Sequence, residues 1–383
     1  MSEPRIVVVG AGIGGLCFAI AARNAGLDAH VYEQATELRP VGAGLTLFTN
    51  ATRALQLLGV AEAMQECASV MDICEFRTAK GGLLASWPTG ELGRKHGAPT
   101  LMISREHVHK VLLAELGAEH VHLGSRVSDF EDRGDTVEIE VDGGATQTCD
   151  LLVGADGLRS TVRARLHGDE EPRFAGYTVM RSVVQDSGAL IPARSFCSLW
   201  GRGERFVYYD IGLDQAYWMS VANNDTPGAA LKRPVKEMLA ERHRGWAEPI
   251  ERLIDATSAQ AIHPTDIYDR PPLEQWGRGR VTLLGDAAHP MTFNSGQGAG
   301  SGMEDAVVLA ACLQGADDVP AALREYEGRR QPRTARFQNT AWRIGNLGRM
   351  ANPLACVMRD TMMRVIYRTV ALKEHAKDMD FAP

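Results

Sequence analysis

The sequence predicts an α/β protein with an inserted antiparallel sheet and with helices toward its C-terminal end. Ile6–Val9 and Ala29–Glu33 are short apolar runs typical of buried parallel strands, and a glycine-rich turn and a helical segment lie between them. Residues 174–223 instead alternate apolar and polar side chains, as strands do in an antiparallel sheet that is covered on one face. From Gly298 onward the composition favours helices.

Composition excludes several classes of protein. The 383 residues are enough for two interleaved domains, and 45% apolar with 23% charged residues is typical of globular proteins. A net charge of -7 argues against a general nucleic-acid binder, because phosphate contacts need a basic surface. The seven cysteines form no CxxC or CxxH pattern, so we expect no metal site and a reducing, cytoplasmic location. No signal peptide precedes IVVVG and no apolar run approaches the roughly 18 residues of a membrane span, so no integral membrane segment is expected.

The turn after the first strand carries the first functional motif. Gly10, Gly12 and Gly15 match G-x-G-x-x-G, and Gly14 lies in the same turn. Glycines allow a tight turn and let the backbone approach a pyrophosphate at the positive end of the following helix. Glu33 closes the second strand, 18 residues after Gly15, where a carboxylate can bond ribose hydroxyls. These features predict dinucleotide binding, and they do not distinguish FAD from NAD.

Local signals place three further helices. Asn50 is predicted to cap a helix through Leu58, and Ser104 a helix through Leu116. Residues 234–254 are predicted to form one helix.

Two later motifs make the prediction specific. Residues 149–163 read CDLLVGADGLRSTVR, and residues 284–305 read LGDAAHPMTFNSGQGAGSGMED. Together with GAGIGG at Gly10–Gly15, they follow one another in an order and spacing that extend to about residue 330. On these motifs the chain resembles the flavoprotein aromatic hydroxylases, the single-component class A FAD monooxygenases of the p-hydroxybenzoate hydroxylase type.

The resemblance assigns the motifs to FAD. It implies that Asp286 bonds the ribityl chain and that Asp156-Gly157 touches the pyrophosphate and influences nicotinamide binding. It also implies that the turn at Gly296 opens a helix toward the flavin pyrimidine edge, where backbone N–H groups stabilise the negative charge of reduced flavin. The FAD-binding residues expected on this basis are Gly10, Gly12, Gly14, Gly15, Glu33, Arg39, Arg105, Asp156, Gly157, Asp286, Pro290, Gly296, Gln297, Gly298 and Ala299.

The resemblance also implies a reaction. The chain has no second G-x-G-x-x-G, which fits NADH or NADPH as a transient co-substrate. One oxygen atom of O2 would then enter an aromatic small molecule, phenolic or N-heteroaromatic, through a C4a-hydroperoxyflavin. The alternatives are a flavin-dependent epoxidase of a polyene or isoprenoid, a flavin reductase or halogenase on the same fold, and a non-catalytic flavin- or ligand-binding protein. The absence of the Trp-x-Trp-x-x-Ile signature argues against the halogenase.

The substrate is expected between the inserted sheet and the flavin. Candidate lining residues are Arg181, Tyr208, Tyr209, Tyr217 and Trp218 in the sheet, and Met291, Phe293 and Asn294 in the loop after Pro290. Because strand side chains alternate, at most one of Tyr208 and Tyr209 should face the pocket.

No catalytic residue is assigned from the sequence. The candidates are Arg181, Tyr209, Asn294 and His289. An amide at Asn294 cannot act as a general base, and His289 has the alternative role of a turn residue fixed by local hydrogen bonds.

The sequence suggests that the chain is divided into three regions. A monomer or a homodimer is expected. Residues 352–368 resemble the helical extension of some relatives. We expect them to form a helix that packs on the body of the protein, in preference to a helix at a membrane surface or a dimer interface. The expected limits are 1–75, 100–170 and 275–330 for a discontinuous Rossmann-like FAD-binding domain, 76–99 and 171–274 for the substrate-binding sheet domain, and 331–383 for the C-terminal helices.

Overall fold

A computed structural model describes residues 6–38, 43–142, 144–228, 234–365, 377–379 and 381. Its strands are β1 (Ile6–Val9), β2 (Ala29–Glu33), β3 (Gly44–Leu47), β4 (Ser69–Val70), β5 (Ile73–Thr78), β6 (Leu83–Trp87), β7 (Leu101–Ser104), β8 (Val121–Leu123), β9 (Val127–Asp132), β10 (Val137–Val141), β11 (Ala145–Cys149), β12 (Leu151–Gly154), β13 (Arg173–Gln185), β14 (Ser195–Trp200), β15 (Glu204–Asp210), β16 (Gln215–Asn223), β17 (His263–Asp269) and β18 (Val281–Leu283). Its α-helices are α1 (Ile13–Asn24), α2 (Thr49–Leu57), α3 (Ala61–Glu66), α4 (Thr89–His96), α5 (Arg105–Leu116), α6 (Thr161–His167), α7 (Ser187–Leu190), α8 (Val235–Arg242), α9 (Ile250–Ala256), α10 (Gly298–Leu313), α11 (Val319–Gly348) and α12 (Pro353–Met362).

A parallel sheet with the order β18-β12-β1-β2-β8 forms the centre of the molecule. Ile6 of β1 pairs with Leu151 of β12 on one side and with Ala29 of β2 on the other. Strands β1 and β12 are buried throughout. Their sequences, IVVV and LLVG, therefore contain only apolar residues and one glycine. This sheet and its flanking helices confirm the predicted α/β class.

The carboxyl ends of the parallel strands define one cleft. Gly10, Glu33, Ala155 and Leu284 each lie at or just beyond the end of a strand, so the turns that follow these strands converge at one edge of the sheet. We call this edge the strand-end cleft.

A close crossing of two helices brings a second helix start to the cleft. A Cβ atom on Gly302 of α10 would lie only 3.6 Å from the Cα of Gly14 in α1 and 3.7 Å from the Cα of Gly285. The absence of side chains at these positions lets α10 pack directly on α1. The N-terminal end of α10 therefore lies beside that of α1.

A seven-stranded sheet with the order β17-β13-β16-β15-β14-β5-β6 forms the second layer. Its pairs are antiparallel except for β5 with β14. One face packs on α8 and α9 around Trp218 and Leu239, and the other turns toward β3 at Gly44. The strands of the two large sheets alternate along the chain, and the domain limits drawn from the sequence remain predictions.

Two small antiparallel sheets complete the described strands. β3, β7 and β4 form one, with the order β3-β7-β4, and it lies between the seven-stranded sheet and α5. β11, β10 and β9 form the other.

Three local predictions have different outcomes. Ser104 does cap α5, since its Oγ accepts a hydrogen bond from His107 N at 3.2 Å. The cap predicted at Asn50 is wrong, because α2 already begins at Thr49 and the Asn50 side chain bonds elsewhere. Residues 234–254 contain two helices, α8 and α9, because the turn between them places Gly245 at φ +69°, a conformation that a continuous helix does not contain.

The C-terminal helices pack only in part. α12 buries Cys356 and Arg359, whereas Leu354 and Met358 are 77% and 73% exposed. The remainder of the predicted tail, residues 366–368, lies outside the described residues. Among the helices that the structure describes, none combines the length and apolar character needed to span a bilayer.

Candidate active site

The glycine turn between β1 and α1 combines two different requirements. Gly10 has φ +104°, and a Cβ on it would lie 2.7 Å from the Ala155 carbonyl oxygen. A Cβ on Gly15 would lie 2.1 Å from the Gly10 carbonyl oxygen, so packing within the protein requires both glycines. A Cβ on Gly12 meets only the Ala155 oxygen, at 3.9 Å. The space beside Gly12 is therefore free for a ligand at the start of α1.

Glu33 is fixed at the end of β2 by two backbone groups. Its Oε2 accepts a hydrogen bond from Ala11 N and its Oε1 accepts one from Ala35 N, both at 2.9 Å. Each carboxylate oxygen keeps a second lone pair for a donor. Glu33 is thus oriented toward the glycine turn and can accept from a ribose hydroxyl.

The Asp156-Gly157 motif caps a helix. Asp156 Oδ1 accepts from Ser160 Oγ at 2.5 Å, and its Oδ2 accepts from Thr161 N at 2.6 Å. These bonds satisfy the first N–H groups of α6 and fix the preceding loop. Gly157 has φ +79° and no protein atom within 4 Å of a Cβ position, so its backbone is open to a ligand.

Arg163 joins this motif to the Gly-Asp motif. Its Nη1 donates to the carbonyl oxygens of Ala287 and Ala288, at 3.1 and 3.0 Å. Burial lowers the pKa of Arg163 to about 10, which still leaves it charged at neutral pH. In the sequence Arg163 is the last residue of the second motif. In the structure its side chain holds the turn that carries Asp286.

Asp286 lies just beyond β18, at the strand-end cleft. It is solvent-accessible and yet closely surrounded by protein atoms. Desolvation raises the pKa of Asp286 above its usual value, and the nearby His289 and Arg105 oppose this rise. Arg105 begins α5 and is itself exposed, so both side chains are available to a bound molecule.

His289 is buried and engaged. Its Nε2 and Asp305 Oδ2 lie 2.5 Å apart, and its ring packs on Trp276 at 5.2 Å between centroids. This geometry argues against His289 as an acid or base toward substrate. It favours the other interpretation of the sequence, a turn residue held by local contacts. Pro290 is also buried, and its carbonyl accepts from Gln338 Nε2 at 3.2 Å.

The start of α10 presents backbone N–H groups to the cleft. Gly296 has φ +66°, and a Cβ on it would lie 2.7 Å from Phe48 Cε2, so only glycine fits this turn. Gln297 Oε1 accepts from Asn50 Nδ2 at 2.9 Å, while Gln297 Nε2 is buried without a hydrogen-bond partner. Gly298 and Ala299 follow as the first residues of α10. Their free N–H groups suit an electron-rich ring edge.

The seven-stranded sheet separates the predicted aromatic residues. Tyr209 and Tyr217 lie 5.1 Å apart between ring centroids and pack on Gly44 of β3. Tyr208 and Trp218 lie on the opposite face, in the core under α8 and α9. Their position corrects the assignment of Tyr208 and Trp218 as pocket residues, because the strand alternation turns them away from β3.

Arg181 shares the face of Tyr209 and Tyr217. Its guanidinium lies near the Tyr217 hydroxyl and opposes the rise of the Tyr217 pKa, while its Nε is buried without a hydrogen-bond partner. Burial raises the pKa of Tyr217 to about 12 and that of Tyr209 well above its usual value. Both phenols are therefore protonated at neutral pH and can donate hydrogen bonds.

Asn294 is a hydrogen-bond junction. Its Nδ2 donates to Tyr177 Oη at 2.7 Å and to Thr292 Oγ1 at 2.8 Å, and its Oδ1 accepts from Arg205 Nη1 at 2.8 Å. With three bonds already made, Asn294 fixes the loop and does not act as a base. Phe293 packs edge-on against Tyr177 at 6.0 Å.

Met291 lies at the other end of this loop. Its Cγ would be 3.8 Å from a Cβ on Gly298, so it borders the start of α10. Arg39, also predicted to face FAD, lies outside the described residues.

Sequence reasoning missed several buried polar residues. Arg205 lies 5.3 Å above the Trp200 ring, and burial lowers its pKa to about 10. Asn50, Arg330 and Tyr177 likewise hold the loop and α10 through side-chain bonds. The partners of Asn50 and Tyr177 in these bonds are distant along the chain, so no local pattern predicts the contacts.

Comparisons with known proteins identify the family. The FAD binding domain family matches residues 3–341. Aurachin C monooxygenase/isomerase of Stigmatella aurantiaca is 38% identical over 380 residues, covering 99% of this chain and 98% of that protein. The 3-amino-4-hydroxybenzoate 2-monooxygenase of Streptomyces cremeus is 35% identical and covers 94% of this chain and 91% of its own length.

A solved structure is similar over nearly the whole chain. Klebsiella pneumoniae HpxO complexed with FAD and uric acid has a TM-score of 0.91 and 28% identity, covering 98% of this chain and 96% of that one. The space beside Gly12, the accessible Asp286 and the unpartnered amide of Gln297 fit FAD as the cofactor. The chain belongs to the p-hydroxybenzoate hydroxylase-like FAD-dependent monooxygenases, and it is an FAD-dependent enzyme.

Proposed function

We propose that this enzyme uses NADH or NADPH and O2 to insert one oxygen atom into a phenolic or N-heteroaromatic small molecule. The observation that carries the proposal is the polar cluster of Arg181, Tyr209 and Tyr217 on the sheet face that turns toward β3. We place the substrate between this cluster and the flavin, in a sheet domain with the limits 76–99 and 171–274.

The strand-end cleft would hold FAD through residues from four turns. Gly12 and the start of α1 receive the pyrophosphate, and Glu33 accepts from the ribose. Asp286 accepts from the ribityl hydroxyls. The N–H groups at Gly298 would face the pyrimidine edge of the flavin, where they would stabilise negative charge. When bound, FAD supplies hydride acceptance and oxygen activation.

Arg181 and the two tyrosines would select and orient the substrate. The Arg181 side chain is partly buried and its Nε has no hydrogen-bond partner, which favours a ligand that brings an anionic oxygen, such as a phenolate or an enolate. Tyr209 and Tyr217 are protonated at neutral pH, so they donate to this oxygen and do not remove its proton. Water exclusion comes from the packing of the tyrosines on Gly44.

NAD(P)H oxidation with a panel of phenols, N-heteroaromatics, quinolones and polyenes tests the proposal. We expect NADH or NADPH oxidation and oxygen uptake to rise together with at least one aromatic member. Stimulation by a polyene alone would favour the epoxidase. Nicotinamide oxidation without oxygen uptake would favour a reductase.

Matched tyrosine variants test the location of the substrate. Tyr217→Phe should raise KM for the aromatic substrate about tenfold, the effect of losing one hydrogen bond to a charged oxygen. Tyr208→Phe is the control, because Tyr208 lies on the opposite face of the same sheet. Equal effects of the two variants would contradict the proposed pocket.

A further inference from the structure

A cluster of three imidazoles and one carboxylate lies at the outer edge of the parallel sheet. His30 belongs to β2, Asp28 precedes this strand, and His120 and His122 flank the first residue of β8. One ligand atom each from Asp28, His30 and His120 lies within 4.8 Å of the other two. We infer that Asp28, His30 and His120 bind a divalent transition-metal ion, for which Zn²⁺ is the best match, although the cysteine pattern alone predicts no metal site.

The strand register explains why these residues meet. Tyr32 pairs with His122 in the parallel ladder of β2 and β8. Residues two apart in a strand share a face, so His30 lies on the same face as Tyr32 and beside His122. His120 ends the short 3-10 turn that leads directly into β8. The ring of His30 lies 5.3 Å from that of His120 and 5.2 Å from that of His122. The fold thus gathers residues that are some 90 positions apart.

The two ring nitrogens of His30 face different partners: Nδ1 faces His122 and Nε2 faces the Asp28 carboxylate. His30 Nδ1 lies 3.0 Å from His122 Nε2, and His30 Nε2 lies 3.3 Å from Asp28 Oδ1. If His122 Nε2 donates to His30 Nδ1, then His30 Nε2 donates to Asp28, and these hydrogen bonds are complete without a metal. If His30 donates to His122, the Nε2 lone pair and the carboxylate face each other and share a cation. A metal ion selects the second pattern, in which His122 orients the ligand His30.

The donor set suits zinc. Two imidazole nitrogens and a carboxylate oxygen, with water in the fourth position, form a common zinc environment. Asp28 is exposed, which leaves room for that water, and His120 Nδ1 is buried without a hydrogen-bond partner. Tetrahedral ligands at about 2.1 Å from the ion lie roughly 3.4 Å apart. Small side-chain rotations would therefore complete the site.

The ion would join β2 to the edge strand β8. Glu33 ends β2 three residues after His30, but its contacts to Ala11 and Ala35 do not involve the cluster. We therefore expect the metal to stabilise the sheet edge without being required for FAD binding. This separates the site from the proposed oxygenation.

Metal titration of the FAD-loaded enzyme tests this site. After dialysis against a chelator, addition of ZnCl2 should give one bound ion per chain by calorimetry and should raise Tm. Co²⁺ in place of Zn²⁺ should give the visible absorption of a four-coordinate site. His120→Ala and Asp28→Asn should each weaken binding at least tenfold, while FAD content stays at the wild-type level.

His263→Ala is the matched control, because His263 is an exposed histidine of β17 outside the cluster. It should bind zinc as the wild type does. Asp28 is exposed, so Asp28→Asn decides the question even where the histidine variant does not fold. Absence of stoichiometric binding by the wild type, or unchanged affinity in Asp28→Asn or in a folded His120→Ala, would overturn the assignment.

Discussion

Asp305 Oδ2 lies 2.5 Å from His289 Nε2, and both side chains are almost completely buried. The same oxygen accepts from Gly285 N at 3.1 Å, so one carboxylate holds both sides of the turn that carries Asp286. Arg330 Nε donates to the other oxygen at 2.6 Å. Burial alone would raise the pKa of Asp305, but His289 and Arg330 hold it below its usual value. The turn under the flavin site is thus anchored by charge.

Asp305→Asn should destabilise the protein by about 3 kcal/mol, the usual cost of breaking a buried ion pair. Because the folded-state pKa of Asp305 is lowered, its contribution is present above about pH 4 and is lost as the pH falls through the folded-state value. Urea unfolding should therefore show a large difference from the wild type at pH 7 and a smaller one in acid. Asp317→Asn, on the exposed loop after α10, is the control. A pH-independent difference would contradict the ion-pair interpretation.

Asp286→Ala should yield folded protein with a reduced FAD content. Loss of a charged acceptor toward the ribityl hydroxyls corresponds to about 2 kcal/mol, or roughly 30-fold weaker binding. The ratio of flavin to protein absorbance after purification measures it. Full flavin occupancy in this variant would refute the assignment.

Gly12→Val should fold and fail to bind FAD. Nothing in the protein lies closer than 3.9 Å to a Cβ at Gly12, whereas the branches of valine would fill the pyrophosphate position. Gly328→Val in α11, where no atom lies within 4 Å of a Cβ, controls for effects of a glycine-to-valine change away from the proposed FAD site. Gly15→Ala should instead impair folding, because its Cβ would lie 2.1 Å from a backbone oxygen. Yellow, fully loaded Gly12→Val protein would contradict the role given to this turn.

His243 should make stability depend on pH between about 6.5 and 3. Burial lowers its pKa to about 3, and Ser220 Oγ lies 2.8 Å from its Nε2. Below about pH 6.5 this histidine is protonated in the unfolded chain but stays neutral in the folded chain. The free energy of unfolding therefore decreases by about 1.4 kcal/mol for each unit by which the pH is lowered. His243→Gln should remove about 2 kcal/mol of the loss between pH 7 and 5. Urea unfolding at about pH 7 and pH 5 measures this loss of stability. An equal loss in the variant and the wild type would show that His243 is not buried in its neutral form.

Features encoded within a few residues could be predicted from the sequence. The β1–glycine–α1 unit, Glu33 at the end of β2 and the Ser104 cap depend on neighbours in the chain, and alternation correctly places Tyr208 and Tyr209 on opposite faces.

Contacts between distant residues could not be predicted. Asn50 donates to Glu304 across 254 positions at 2.6 Å, and Glu304 also accepts from Arg333 Nε at 2.8 Å. In the sequence Asn50 has the pattern of a helix cap, and Glu304 that of a residue at a helix start. Their pairing depends on how α2, α10 and α11 pack, which no local pattern specifies. The same holds for Arg163, whose carbonyl partners lie more than 120 residues away.

Transfer of oxygen from O2 to an aromatic product is the most direct test of the account. With ¹⁸O2, NADH or NADPH and an aromatic compound that stimulates oxygen uptake, mass spectrometry should find one labelled atom in the product. Arg181→Met should lower this incorporation while the FAD content is unchanged. Product that carries no label, or failure to consume oxygen with either reductant, would contradict the assignment as a monooxygenase of aromatic molecules.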